Sequence, residues 1–260
     1  MFIIQLLVIV FQFAASLYFF PSLPKVMPTH WNVFGQIDGT MPKEFAAWMM
    51  PLLGLFILTT FKLAPMFDPK NKKYHLFSHE WNIIQTVFVL FMAYMQGITF
   101  YAAYFPATQI MKPMFIGMGI LFVLLGNYLS KIRQNYFIGI KVPWTLDNED
   151  NWNKTHRFAS WTFVLMGLIV FAEGFLIWNA APIIFGSIML AATLPILYSY
   201  LLFKKKERYM KYILIAVAVL IGGLLLIRVI SGEDGWICKN GKWVQHGKPS
   251  AVKPTTTCIK

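Results

Sequence analysis

The sequence predicts an all-α integral membrane protein of about seven transmembrane helices, N-terminus inside and C-terminus outside, ending in a small disulfide-stapled β-hairpin tail. Three observations carry this prediction. Hydrophobic residues make up 57% of the chain and charged residues only 13%. Apolar stretches recur at lengths near the ~20 residues that cross a bilayer. Basic residues gather in every second connection between those stretches. A net charge of +12 would suggest nucleic acid in a soluble chain, but here its placement between apolar runs matters more.

The spans fall at 3–20, 46–64, 83–105, 112–130, 159–178, 180–203 and 211–230, and each is expected to be a helix. A single helix satisfies its own backbone hydrogen bonds in lipid, whereas an isolated strand does not. The period-2 alternation of a membrane barrel is also missing. Alternate connections hold Lys62, Lys70, Lys72 and Lys73, then Lys131, Arg133, Lys141, Lys154 and Arg157, then Lys204, Lys205, Lys206, Arg208 and Lys211. The opposite connections hold only Lys25, Lys43 and Lys112. Basic connections stay on the cytoplasmic side, which sets the orientation. The first span lacks a basic n-region and a small-residue cleavage site, so it is expected to be a retained helix.

After the first helix, Pro21–Glu44 reads PSLPKVMPTHWNVFGQIDGTMPKE and is expected outside. Its Pro, Gly, Asn and Asp residues mark turns, with one short extended piece at His30–Phe34. His30 and Asp38 are too few for a zinc site, which takes three or four ligands. Two readings remain: His30 and Trp31 pack the loop onto the bilayer rim while Asp38 closes a turn, or the loop meets an extracellular ligand through His30, Trp31, Asn32 and Asp38.

The next connection, DPKNKKYHLFSHEW, puts His75 and His79 on one helical face. Glu80 follows the second His rather than the first, which is the wrong order for a zinc protease. A solvated interfacial turn is expected, with Trp81 as the membrane-surface anchor. Inside the spans, Gln5, Gln12, Gln85, Gln96 and Asn127 suit hydrogen bonds between helices. Glu173 stands apart, because a carboxylate at a helix centre costs about 2.5–3.5 kcal/mol on insertion scales unless it pairs, neutralises or reaches water. It either snorkels towards the outer surface or lines an outward-facing cavity.

The densest set of Asn, Trp, Pro, His and paired charges lies at 126–161, GNYLSKIRQNYFIGIKVPWTLDNEDNWNKTHRFASW. Lys131 and Arg133 close the fourth helix, complementing its dipole and anionic lipid. Asn135–Val142 is apolar around Gly139, with Tyr136 and Phe137 as interfacial anchors. Pro143 and Trp144 are expected to force an extended step. Thr145 or Asp147 then caps a helix that runs into the fifth span, with Asp147, Glu149 and Asp150 at its positive end. Trp152 and His156 share a face of that helix, and Asn135, His156 and Arg157 are expected to converge beneath the bundle. They either tie the loop down or, with Trp144, form a docking surface for a cytoplasmic partner.

The fifth and sixth spans are joined near Asn179 by a tight outer hairpin, and the sixth and seventh by KKKERYMK, an inside anchor. In the tail, Trp236–Lys239, Asn240-Gly241 and Lys242–Val244 read as two strands on a type I′ turn. So small a unit needs a staple, which Cys238 and Cys258 offer outside the cell, where oxidation is permitted. No C-x-x-C metal motif is present.

Two blocks carry a family resemblance. Gly126–Ile132, Asn135–Ile140, Pro143–Leu146 and Lys154–Arg157 resemble, in order, the signature of the SdpI-like immunity family. Upstream, Pro24, Pro28, His30, Trp31, Asn32, Gly35, Asp38, Gly39 and Lys43 resemble the extracellular domain of unknown function that accompanies it. Gln134 stands where relatives usually carry Pro, and Lys141 and Val142 where Arg and Thr are common, and Lys lacks the planar fork of Arg.

The resemblance implies N-terminal helices with the His-Trp-Asn loop over 1–110, an SdpI-like membrane domain over 111–230 and an added Cys-bounded tail over 231–260. It implies a multi-pass protein of a bacterial plasma membrane that gives immunity to a secreted antimicrobial peptide toxin, contacts lipid, and holds a small cytoplasmic repressor in signal transduction. The rival reading is a small-molecule or lipid transporter, with Glu173 and Gln96 on its path, although no internal repeat supports it. No phosphate loop, nucleophile elbow, metal-ligand motif or DNA-binding module is present. The expectation is therefore a protein without catalytic residues, cofactor, metal or direct nucleic-acid binding.

Overall fold

A computed structural model describes residues 1–32, 35–176, 180–204, 217–224, 235–246 and 252–258. The chain divides into two compact units, 1–204 and 205–260. The first opens with helix α1 (Phe2–Phe19), a 3-10 turn at Phe20–Ser22, and an antiparallel hairpin of β1 (Val26–Trp31) and β2 (Ile37–Pro42). Helix α2 (Lys43–Phe67) leads through a 3-10 segment at Asn71–Phe77 to α3 (Ser78–Tyr104) and α4 (Met111–Leu129). A loop, the short α5 (Pro143–Asp147), α6 (Glu149–Leu176) and α7 (Ala180–Phe203) complete it.

Among the described residues six helices, α1 to α4, α6 and α7, are long and apolar enough to cross a membrane. The seventh expected span, 211–230, lies largely outside the described residues, and its described part, 217–224, is helical. The connection at Asn179 and the basic run after Lys204 also lie outside them.

The helices turn polar residues inward. On α1 the buried side chains are Gln5, Ile9, Gln12 and Ser16, whose spacing puts them on one face, while Leu7, Val10, Phe11 and Leu17 stand exposed. That inversion is what lipid demands, since apolar surface costs nothing there and hydrogen-bonding groups need partners inside the protein. Between α4 and α6 small residues let the backbones meet. A Cβ at Gly119 would come to 2.5 Å from the Phe171 nitrogen, and one at Gly167 to 2.6 Å from that of Val123. Close helix contact of this kind replaces the hydrophobic effect in a bilayer.

One local expectation is met in part and two are corrected. The extended piece expected at His30–Phe34 is a strand as far as Trp31, paired with a second strand that starts at Ile37, and residues 33–34 lie outside the described ones. The reversal uses Gly35 at φ 78, which glycine adopts without a Cβ clash. Trp81 is not a surface anchor: it is 6% exposed and packs edge-on against Tyr74 and Phe77. Pro143 does not extend the chain, for it occupies the first turn of α5 while Val142 before it is extended at φ −114 and ψ 157. Proline restricts its predecessor and suits a helix start, so the extended residue falls one place earlier.

In the second unit β3 (Gly235–Lys239) pairs with β4 (Lys242–His246). Asn240 and Gly241 both take positive φ, 53 and 73, as a type I′ turn requires. Cys238 and Cys258 form the expected disulfide, with Cα atoms 5.5 Å apart.

Candidate functional site

Two groups of singled-out residues lie at opposite ends of the helices. At the hairpin end, where α1 finishes and α2 begins, β1 is held down by Met27, fully buried among Leu23, Ala46, Ala47 and Phe100. Trp31 packs beside Ile98, Ala102 and Ile110. Lys43 donates to the carbonyls of Phe20 and Leu23, which closes the end of α1 where backbone acceptors lack helical partners. Asn32 shapes the reversal, its Oδ1 accepting from the Gln36 amide at 3.0 Å.

What this packing leaves outward is a pair. The His30 Nδ1 lies 2.5 Å from Asp38 Oδ1, with side chains 72% and 42% exposed. Register explains how they meet: His30 sits opposite Gly39, where a Cβ would come within 2.8 Å of the His30 Cβ. Glycine there leaves room for the imidazole to lean towards Asp38.

The other end is a polar cap over an aromatic core of Tyr74, Phe77, Trp81, Leu129, Ile132 and Trp152. Loop 130–142 crosses it, organised by side chains standing in for secondary structure. Asn135 is fully buried. Its Oδ1 accepts from the amides of Phe137 and Ile138, both at 2.8 Å, and its Nδ2 donates to the carbonyls of Arg133 and Ile138. Thr145 donates to the Ile140 carbonyl at 2.7 Å and its oxygen accepts from the Val142 amide. Gln134 donates to the carbonyls of Thr145 and Leu146, so it joins the start of the loop to its end.

His156 is the pin beneath this loop. It is fully buried and stacks on Trp152, ring centroids 3.9 Å apart. Its Nε2 accepts from the Ile140 amide at 3.0 Å, while Nδ1 lies 2.8 Å from the Trp152 carbonyl. An acceptor at Nε2 and a carbonyl at Nδ1 require the neutral tautomer protonated on Nδ1. Gly139, at φ 120, lets the backbone pass against the imidazole, where a Cβ would collide with Nε2. The Trp152 indole donates to the Ile132 carbonyl at 2.8 Å.

Trp144 reaches elsewhere, donating to Ser199 Oγ at 2.8 Å and stacking on Phe203. It ties α5 to α7. Asn151 donates to the Ser199 carbonyl at the same place, and the start of α6 is capped by Asn148, whose Oδ1 accepts from the Asn151 amide, rather than by Thr145 or Asp147. The structure thus brings Asn135 and His156 into one scaffold. Arg157 does not join them: it points outward, and among the described residues it has no hydrogen-bond or ion-pair partner.

Four side chains outside the expected set hold the cap together. Asp68, 2% exposed, accepts from the Lys70 amide, the Tyr74 hydroxyl and the Tyr136 amide at 2.7, 2.8 and 2.9 Å. Lys70 donates to the Leu146 carbonyl at 2.6 Å, and burial lowers its ammonium pKa. Lys73 bridges Gln134 and Glu149. The α2–α3 connection, expected as a solvated turn, is therefore a latch on the loop. The Asp-Pro pair at 68–69 signals its first bond, since Asp before Pro accepts from an amide two residues on. The reach from Asp68 to Tyr136 has no local signal.

Glu173 lies three residues before the C-terminal end of α6 at Leu176. It is 4% exposed, and its Oε2 has no hydrogen-bond partner among the described residues. Its neighbour Gly174 faces Ile116 and the Lys112 carbonyl of α4.

Comparison with known proteins divides the chain at the same features. Residues 7–55, covering most of α1, the hairpin and the start of α2, match a domain of unknown function, DUF1648. Residues 131–199, from the loop to the Ser199 that receives Trp144, match the SdpI/YfhL protein family. Immunity protein SdpI of Bacillus subtilis (strain 168) is 26% identical over 204 residues, which is 78% of this chain and 96% of that protein. No solved structure matches. The chain is thus a multi-pass membrane protein that resembles DUF1648 over 7–55 and the SdpI/YfhL protein family over 131–199.

Proposed function

We propose that this chain is a membrane immunity protein that protects the cell carrying it against a secreted, membrane-active antimicrobial peptide. The observation that carries this reading is the similarity to immunity protein SdpI across nearly the whole of that protein. The hairpin faces outside, and the exposed His30–Asp38 pair, flanked by Trp31 and Asn32, meets the peptide. The loop end faces the cytoplasm, where Arg157 and the outward tips Tyr136 and Phe137 present a surface to a small repressor. Asn135, Trp144 and His156 hold that surface in shape rather than touching the partner. The Cys-stapled tail lies outside.

The test is survival of a peptide-sensitive bacterium expressing the chain, challenged with a secreted peptide of this kind. The wild type should protect, His30→Ala and Asp38→Ala should protect less at matched abundance, and Arg157→Ala should protect while losing a co-purifying repressor. Absence of protection by the wild type would sink the reading. Thiol labelling of Thr40→Cys but not Arg133→Cys by an impermeant reagent in intact cells is the expected orientation, and the reverse pattern would exclude it.

One observation favours a second reading. The buried Glu173 carboxylate, with an oxygen lacking a partner among the described residues, suits a transport path. Under that reading wild-type protein in vesicles moves a solute and Glu173→Gln does not, whereas the immunity reading expects no such flux.

A further inference from the structure

Not all of the polar side chains turned inward between α1, α2 and α3 have hydrogen-bond partners among the described residues. Gln5 Nε2 donates to the Asn82 carbonyl and to Thr86 Oγ1 at 3.1 and 3.0 Å. Further along, Gln96 Nε2 donates to the Gln12 carbonyl and to Ser16 Oγ at 2.9 and 2.8 Å. These bonds run α1 and α3 in the same direction and fix their register. Midway, Ile9 of α1, Leu58 of α2 and Val89 of α3 close into one apolar layer. Gln85 is one turn before Val89 on the same face of α3, and Gln5 one turn before Ile9 on α1. The two glutamines therefore flank the layer on its loop-end side. Gln12 lies on its hairpin-end side, against Gly54 of α2, where a Cβ would come to 3.1 Å from Gln12 Oε1.

These three residues are 0–1% exposed, yet five of their polar atoms have no partner among the described residues: Gln5 Oε1, and both Nε2 and Oε1 of Gln12 and of Gln85. A carboxamide in a membrane interior with neither donor nor acceptor used is not retained as helix glue, because glue is what the Gln5 and Gln96 amides already supply. The orphaned atoms also specify what would satisfy them. Each of Gln12 and Gln85 offers donor and acceptor together, and none of the three carries charge. An ion would leave one kind of atom unpaired, and an apolar group would leave both. The matching group is uncharged and both donates and accepts, which is the chemistry of water bridging buried polar atoms.

We propose that the first three helices hold two internal hydration sites, one at Gln5 and Gln85 and one at Gln12, divided by the Ile9–Leu58–Val89 layer. The inference is independent of what the protein protects against. It assigns Gln85 and Gln12, whose side-chain polar atoms have no hydrogen-bond partner among the described residues, a role as water ligands in the membrane interior.

The test is solid-state NMR of the full-length protein in lipid bilayers, with nitrogen-15 in its glutamine side chains and magnetisation transferred from water. Gln12→Met and Gln85→Met each remove one side-chain signal and so identify it. The expected result is a water cross-peak to the Gln12 and Gln85 amides and none to the Gln96 amide, whose protons are bonded within the protein. The bilayer is phosphatidylcholine, which carries no hydroxyl, so the cross-peak reports water rather than a lipid hydroxyl. Gln12 and Gln85 amides as silent towards water as Gln96 would overturn the proposal. If one methionine variant fails to accumulate, the wild-type pattern and the other variant still decide.

Discussion

His156 shows how much one side chain holds at the loop end. It presents a flat face to Trp152 and a lone pair to the Ile140 amide, so it both packs and substitutes for a backbone acceptor. Phenylalanine keeps the first role and loses the second. His156→Phe should therefore destabilise the protein by about 1–3 kcal/mol, the cost of leaving a buried amide unsatisfied, read as thermal unfolding in detergent. Its neighbour in sequence is the contrast, since exposed Arg157 should change stability by no more than about 0.5 kcal/mol as alanine. Two adjacent residues within one family-like block thus divide into scaffold and surface, and only the helix phase separates them.

Between elements, the α4–α6 contact is the tightest test of helix packing. A methyl group at Gly119 would sit 2.5–2.6 Å from the Phe171 nitrogen, Cα and Cβ, and backbone cannot step aside as a flexible side chain can. Gly119→Ala should cost about 1–3 kcal/mol or more through overpacking. Gly97 in α3 meets nothing within 4 Å, so Gly97→Ala should stabilise by roughly 0.5–1 kcal/mol. Unfolding of both variants under one condition decides the matter, and equal shifts of the same sign would contradict the packing described. The β1–β2 hairpin is an element of another kind. Its buried Met27 and half-buried Trp31 face the helices, which leaves the imidazole of His30 and the carboxylate of Asp38 on the outward side.

At the scale of the molecule, the latch joins the helices that precede the loop to the SdpI-like half that follows. Removing Asp68 frees three donors, on Lys70, Tyr74 and Tyr136. Asp68→Ala should cost about 3 kcal/mol or more, given the strength of bonds to a buried carboxylate, and should open residues 131–142 to limited proteolysis. Lys73→Met should cost no more than about 1 kcal/mol, because its pair with Glu149 is partly exposed, at 27% and 49%. A loop equally resistant in both variants would show that the latch does not hold it. One core beneath the cap draws on α2, α3, α4 and α6 together.

The sequence by itself determined the helical membrane architecture, because bilayer thickness sets span length and lipid forbids unpaired backbone. It also determined the tail's turn and staple, since Asn-Gly dictates local backbone angles and two cysteines leave one pairing. Among the described residues, six of the seven expected spans are helices long and apolar enough to cross a membrane, and the Cys238–Cys258 bond is present. Only the tertiary structure decided the partners of Asp68, the burial of Trp81 and the capping of α6 by Asn148. Those depend on which residues distant in the chain arrive at the same place, and neither periodicity nor a local motif encodes an amide that comes from 68 residues away.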